Sequence, residues 1–317
     1  MDTLAMDTLA WLLDSDPALR WQALRDLTDA PAGEVHAERA MVATQGWGAE
    51  LLALQDPDGH WDGGTYRPGW VAEDKPFFDA WTATTYVLLD LVGLGLDPRS
   101  PQAQHAVALV RDNCRWEASG ALFFAGEVEP CINGMVTTIG SHFGEDVDAV
   151  VDRLLADALP DGGWNCWAEF GATVSSAHST LTVLEGLHAW ERAGGRDAAV
   201  TAARTRGEEY LLERRLFRRR SDGRVMDPRF TMFSYPTRWY YDVLRALDYF
   251  RATGQAPDPR CTEAIELVRE RRDPSGAWPL ENTHPGPIHL EMEGPDGFPS
   301  RWNTLRALRV LAWWDRG

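Results

Sequence analysis

No stretch of this chain approaches the roughly 18 consecutive apolar residues that a membrane span requires. The opening residues MDTLAMDTLAW carry acids where a secretory signal carries Lys or Arg. Together these absences lead us to expect a cytoplasmic protein without a transmembrane segment. Positive charge is also scarce, with 31 Lys and Arg against 48 Asp and Glu and a formal net charge of −17. Nucleic acid and anionic membrane surfaces demand clustered cations, so neither is expected as a partner. Cysteine is sparse: Cys114, Cys131, Cys166 and Cys261 are the only four in 317 residues, and none are closely spaced. They make no disulfide framework and read as thiols or metal ligands. Strand-type alternation is missing as well.

What is present describes a well-buried helical protein. A hydrophobic fraction of 44% and a charged fraction of 25% are ordinary for a globular chain. At this length roughly 75% of the extended surface is buried on folding. Tryptophan is abundant, with 15 residues, and such large aromatic surfaces either fill a core or line a cavity.

Five segments share one plan, in which an amphipathic helix ends, a Gly-containing turn follows and an aromatic or apolar residue comes next. Their turn glycines are Gly59, Gly120, Gly162, Gly223 and Gly276, spaced by 61, 42, 61 and 53 residues. Asp, Pro, Ser and Gly supply the dihedrals and side-chain hydrogen bonds that reverse the chain there. After each turn a polar or aromatic loop leads to a second helix with a broader apolar face. These second helices are expected to begin near Asp79, Pro130, Ser175, Pro236 and Ser300, with a sixth at Asp16. Spacing such as Leu181, Leu184, Leu187 and Trp190 is helical. Loops entering the second helices are long and rich in Trp, His and acids, whereas those leaving them are short and plain. A ring of helical hairpins with one elaborated rim follows, and function usually sits on such loops.

The turns DGHW, DGGW and SGAW resemble the repeats of squalene cyclases and protein prenyltransferases. More closely, GEVEPCING, DGGWNC, SSAHST, ENTHPG and SRWNTLRALRVL resemble short single-domain squalene cyclase-like proteins of actinobacteria, over nearly the whole chain. The resemblance implies an all-α (α/α)6 toroid spanning residues 1–317 as a single domain. Six inner helices would surround a cavity suited to a small hydrophobic substrate. Fold does not fix reaction. The Asp-x-Asp-Asp acid motif of class II terpene cyclases is absent, since DSDP and DPDG read as turns or caps. The Asp-x-Cys half of the prenyltransferase zinc pattern is missing too.

On that fold Cys131, Cys166 and His178 converge on one rim, and two thiolates with one imidazole suit Zn²⁺ with a fourth position left open. His178 in SSAHST resembles the prenyltransferase zinc His; lanthionine synthetase cyclases also use two Cys and a His, though their Cys-His-Gly motif is absent. The competing reading makes both cysteines small buried hydrophobes. Glu127, Glu129 and Glu169 surround this set, and a carboxyl walled by aromatics holds its proton toward neutrality. Glu129 is the first choice as acid; its alternative role is to match the dipole of the helix at Pro130. His284, His289, Glu291 and Glu293 form a looser group before the last helix, with His289 able to move protons or bind metal.

Aromatics recur at the second-helix starts: Trp70, Phe77, Phe78, Trp81, Trp164, Trp167, Trp239, Tyr240, Tyr241 and Trp302. Trp81, Trp167, Trp239, Tyr240 and Trp302 are candidate walls of a substrate cavity, whose π faces attract developing carbocations. Asp242 and Asn303 interrupt apolar helices, either to face the cavity or to make structural hydrogen bonds. The run RRLFRRR reads as a solvated helix end, with diphosphate binding by Arg218 and its neighbours as the other reading. The sequence thus points to a zinc-dependent enzyme on an isoprenoid-like substrate, monomeric or weakly dimeric. Non-catalytic lipid or peptide binding, and a carbohydrate-active enzyme with paired acids such as Glu129 and Asp242, are the alternatives.

Overall fold

The computed structural model describes residues 7–72 and 80–317. Phe77, Phe78 and the expected helix start at Asp79 lie outside the described residues.

The described chain is mostly helical. Its α-helices are α1 (Thr8–Leu13), α2 (Pro17–Leu27), α3 (Ala32–Met41), α4 (Gly46–Ala53), α5 (Thr84–Leu94), α6 (Pro101–Asn113), α7 (Pro130–Phe143), α8 (Asp148–Ala156), α9 (Ala177–Arg192), α10 (Ala198–Leu212), α11 (Val243–Ala252), α12 (Thr262–Glu270) and α13 (Arg301–Trp314). One antiparallel pair of two-residue strands, β1 (Trp278–Pro279) and β2 (Pro299–Ser300), sets Trp278 opposite Ser300. Helix starts follow capping chemistry. Asp16 caps α2 by accepting from the Ala18 N–H with Pro17 in the first position, Ser100 caps α6 ahead of Pro101, and Ser300 caps α13. Two expected starts move. α5 begins at Thr84 and α11 at Val243, because the aromatic residues after Pro236 belong to the incoming loop and not to the helix.

The five turn segments separate into two kinds. All five turn glycines have a left-handed φ, from +70° at Gly120 to +101° at Gly162, and three of the turns, those at Gly59, Gly162 and Gly276, are followed by a buried tryptophan. The following indole N–H donates to the carbonyl ten residues earlier, Trp61 to Leu51 (2.7 Å), Trp164 to Leu154 (2.7 Å) and Trp278 to Val268 (2.6 Å). The same tryptophans' backbone N–H groups donate to Thr84, Thr180 and Thr304 hydroxyls at 3.1, 3.1 and 2.9 Å. Each turn is therefore bonded to the helix before it and the helix after it. The other two turns are small hairpins closed by the bridges Arg115 with Leu122 and Arg218 with Val225. Trp61, Trp81, Trp116, Trp164 and Trp278 are fully buried, so much of the tryptophan content fills core.

Contacts divide the chain into two compact units, one of Gly48–Tyr210 with Pro285–Leu290 and one of the remaining described residues. In the first, α7 and α9 make the most intimate helix pair. A Cβ at Gly134 would stand 2.7 Å from the Thr182 carbonyl oxygen, and one at Gly186 would stand 2.6 Å from that of Gly134. The two backbones touch because neither position carries a side chain. In the second unit α13 packs on α2 and α11. Arg309 Nε donates to Asp248 (2.8 Å), its Nη1 reaches Gln22 (3.2 Å) and Asp26 (3.4 Å), and Arg251 Nε also donates to Asp248 (2.8 Å). Buried charge is tolerable there because every member is paired. No helix among the described residues is long and apolar enough to cross a membrane.

Candidate functional site

The contact of α7 with α9 brings the beginnings of both helices side by side. Cys131 is the second residue of α7, and Cys166 lies in the loop that enters α9. Their sulfurs are joined in a disulfide with Cα atoms 6.1 Å apart. The sequence reads these cysteines as thiols or metal ligands; 35 residues separate the two, and the packing of α7 on α9 makes them neighbours.

The Cys166 sulfur accepts from the Cys131 backbone N–H (3.3 Å) and from the Ser179 hydroxyl (3.3 Å), and the Cys166 N–H donates to Ser179 Oγ (3.2 Å). Glu129 Oε2 lies 3.6 Å from Cys131 Sγ. Glu129, Cys131 and Cys166 place one ligand atom each within 4.8 Å of the others, the one such group of three among the described residues. His178, the third expected zinc ligand, is half-buried on α9 and outside this group. Burial above all, then the charges of Glu169 and Glu127, hold the Glu129 carboxyl above the usual carboxylate range. Glu127 is buried; its backbone N–H donates to Asn133 Oδ1 (2.8 Å), and its carbonyl accepts from Asn133 Nδ2 (2.7 Å).

The loops that lead into α7 and α9 expose apolar surface. Val128 is 50% exposed, Trp167 68%, Phe170 74% and Val174 60%, and the Trp167 and Phe170 rings meet edge to face at 5.7 Å. Large apolar side chains left in water beside polar chemistry mark a contact surface. Ser179, Phe170 and Val174 were not singled out by the sequence. Ser179 carried no signal beyond its place in SSAHST, while the exposed pair follows the Trp167 that did.

Other expected residues have structural partners. Trp81 is buried, donates its indole N–H to the Pro285 carbonyl (2.7 Å) and meets Tyr86 edge to face. His289 Nε2 lies 2.9 Å from the Thr82 carbonyl oxygen, which fastens the Pro285–Leu290 segment within its own unit.

In the second unit Asp242 does not interrupt a helix. It caps α11, accepting from the Arg245 N–H (2.7 Å), with Arg306 Nη2 at 3.8 Å. Complete burial outweighs those cationic partners and holds its carboxyl above the usual range. Asn303 donates to the Phe233 and Pro279 carbonyls, both at 3.1 Å, and so ties a loop to β1. Trp239 stacks on Tyr240 at 3.8 Å and Tyr240 on His284 at 4.0 Å, while Trp302 stacks on Tyr235 at 4.5 Å. Trp302 is buried, and its indole N–H has no hydrogen-bond partner among the described residues. Glu293 accepts from the Ser300 hydroxyl (2.6 Å) and the Trp302 N–H (2.8 Å) at the start of α13, whereas Glu291 is exposed. Within the basic run Arg218 pairs with Glu263 and Arg220 with Glu213. Cys114 and Cys261 are buried thiols pushed up to about 12, chiefly by burial, and are chemically quiet.

No family model matches the chain, and no curated protein matches it. Among solved structures it is similar to the apo type II terpene cyclase MstE from Scytonema, at 18% identity, covering 96% of this chain and 86% of that one with a TM-score of 0.45. A protein from Actinoplanes is similar at 18% identity, covering 95% of this chain and 90% of that one with a TM-score of 0.44.

Proposed function

We propose that the chain is a zinc-dependent enzyme acting on an apolar, isoprenoid-like substrate at the beginnings of α7 and α9. The observation that carries this reading is the convergence of Glu129, Cys131 and Cys166 within 4.8 Å beside exposed Trp167 and Phe170. Once the disulfide is reduced, two thiolates and a carboxylate form a donor set that suits Zn²⁺ and leaves one position open. Zinc bound there would supply Lewis acidity. The protein's own share is positional. The Cys131 N–H and Ser179 hydroxyl hold the Cys166 sulfur in place, and Val128, Trp167, Phe170 and Val174 offer the apolar surface. The single (α/α)6 ring is part of this reading.

The test is elemental mass spectrometry of the protein purified under reductant. About one zinc per chain is expected, lost in Cys131→Ser and Cys166→Ser, weakened at least tenfold in Glu129→Gln and kept in His178→Ala. Zinc that survives both cysteine substitutions overturns the site. Product formation from linear isoprenoid compounds, lost in the same variants, tests the activity.

The observed disulfide favours a second reading, in which no metal binds and Glu129 itself gives a proton to the substrate. Burial and two neighbouring acids favour its protonated form. Activity of the oxidised protein that resists chelators and disappears in Glu129→Gln would select it.

A further inference from the structure

We infer that Cys131 and Cys166 form a redox-active pair that exchanges with low-molecular-weight thiols, and that its closed form shuts the zinc site. The inference rests on the zinc reading only in its second half. The pair is placed for exchange. Both cysteines are half-buried where two helices begin, and α7 and α9 already touch through Gly134 and Gly186 without needing a covalent tie. Cys114 and Cys261, by contrast, are fully buried.

The two sulfurs are not equivalent. Cys166 Sγ accepts hydrogen bonds from the Cys131 N–H and the Ser179 hydroxyl, both at 3.3 Å, donors that stabilise negative charge on that atom. Cys131 Sγ has the Glu129 carboxyl at 3.6 Å. Cys166 is therefore the better leaving sulfur. A small thiolate attacks Cys131 Sγ, the bond between the two protein sulfurs breaks, and the electron pair leaves on Cys166. A second thiolate then attacks the small-molecule sulfur of the mixed disulfide on Cys131, releasing a small disulfide and the Cys131 thiolate. Overall, one protein disulfide and two small thiols become one protein dithiol and one small disulfide; closure is the reverse, with the small disulfide as oxidant. Only the open form offers two thiolates to a metal, so the redox state decides zinc occupancy.

The experiment equilibrates the metal-free full chain with reduced and oxidised glutathione at a series of ratios, quenches it with acid, and alkylates it with a maleimide under denaturing conditions. Intact mass then counts free thiols. The expected result is interconversion between chains with four adducts and chains with two as the ratio changes, and in Cys131→Ser three adducts, or two with one bound glutathione, but no internal disulfide. Four adducts at every ratio, or two adducts that persist in excess reduced glutathione, would overturn the redox pair. Ser179→Ala, which removes one donor from the leaving sulfur, is expected to slow reduction about tenfold, with Ser179→Thr restoring it; an unchanged rate overturns the assignment of Cys166 as the leaving sulfur. Zinc uptake is measured separately on each form. Cycling sulfurs whose reduced form takes up no zinc would remove the metal reading and leave the redox pair standing. Zinc uptake by a chain that never closes would do the opposite.

Discussion

Three threonines at equivalent places, Thr84, Thr180 and Thr304, accept the backbone N–H of the turn tryptophans. Thr180 is completely buried, and its hydroxyl accepts the Trp164 N–H away from water. Thr180→Val keeps the shape and deletes the acceptor. A loss of about 1–3 kcal/mol is expected, the cost of a buried donor left unmade. It should appear as a lower urea midpoint at unchanged denaturant slope. A midpoint equal to that of the parent chain would show that the hydrogen bond contributes nothing net. At this scale the sequence is ambiguous for a physical reason. Asn303 and Asp242 stand in apolar stretches of the sequence, and a polar residue there looks the same whether it faces a cavity or bonds to backbone. In the structure both bond to backbone.

The two helices that assemble the candidate site depend on glycine. Replacing Gly134 by Ala usually favours a helix by about 1 kcal/mol, but here the new methyl would stand 2.7 Å from the Thr182 carbonyl oxygen. Backbone atoms cannot swing aside, so overpacking should win and cost about 1–3 kcal/mol. The same displacement separates the helix beginnings, so Gly134→Ala is expected to show fewer closed disulfides than the parent at one glutathione ratio. A more stable variant with full disulfide would mean that α7 and α9 yield easily. Helices whose first turns carry a strong cap or proline were legible: α7 starts at Pro130, and α13 follows Ser300 directly. α11 was not, because Trp239, Tyr240 and Tyr241 continue an apolar pattern through a loop that ends only at the Asp242 cap. The pairing of Cys131 with Cys166 was hidden for a related reason. It is set by where two glycines let helices meet, and neither cysteine's sequence neighbours record that crossing.

For the molecule as a whole, acidity acts in two opposed directions. Asp242, Glu281 and Glu293 are held above the usual carboxylate range, in each case mainly by burial. Folding therefore favours their protonated forms, and their contribution is fullest at or below the unfolded value near 4 and declines as pH rises through the folded values. The formal net charge of −17 pushes the same way, since mild acid relieves self-repulsion. Asp248 behaves oppositely. Burial raises it, but Arg309 and Arg251 outweigh burial and hold it far below the usual range; Asp26, beside Arg25 and Arg309, is lowered in the same way. Those two contributions are complete above about pH 4 and disappear as pH falls toward the folded values. The melting temperature is thus expected to peak on the mildly acidic side of neutrality and to drop steeply below about pH 4. Asp248→Asn separates the two limbs. At neutral pH it leaves the buried Arg309 without its main counter-charge, a loss of about 3–5 kcal/mol. In strong acid the parent's Asp248 begins to take up its own proton, so the gap between variant and parent should narrow as pH falls. Circular dichroism melts of both chains across the acid range measure that gap. Parallel curves would mean that the Arg309 and Asp248 pair, for all its contacts with α2, α11 and α13, does not set the acid limit of this fold.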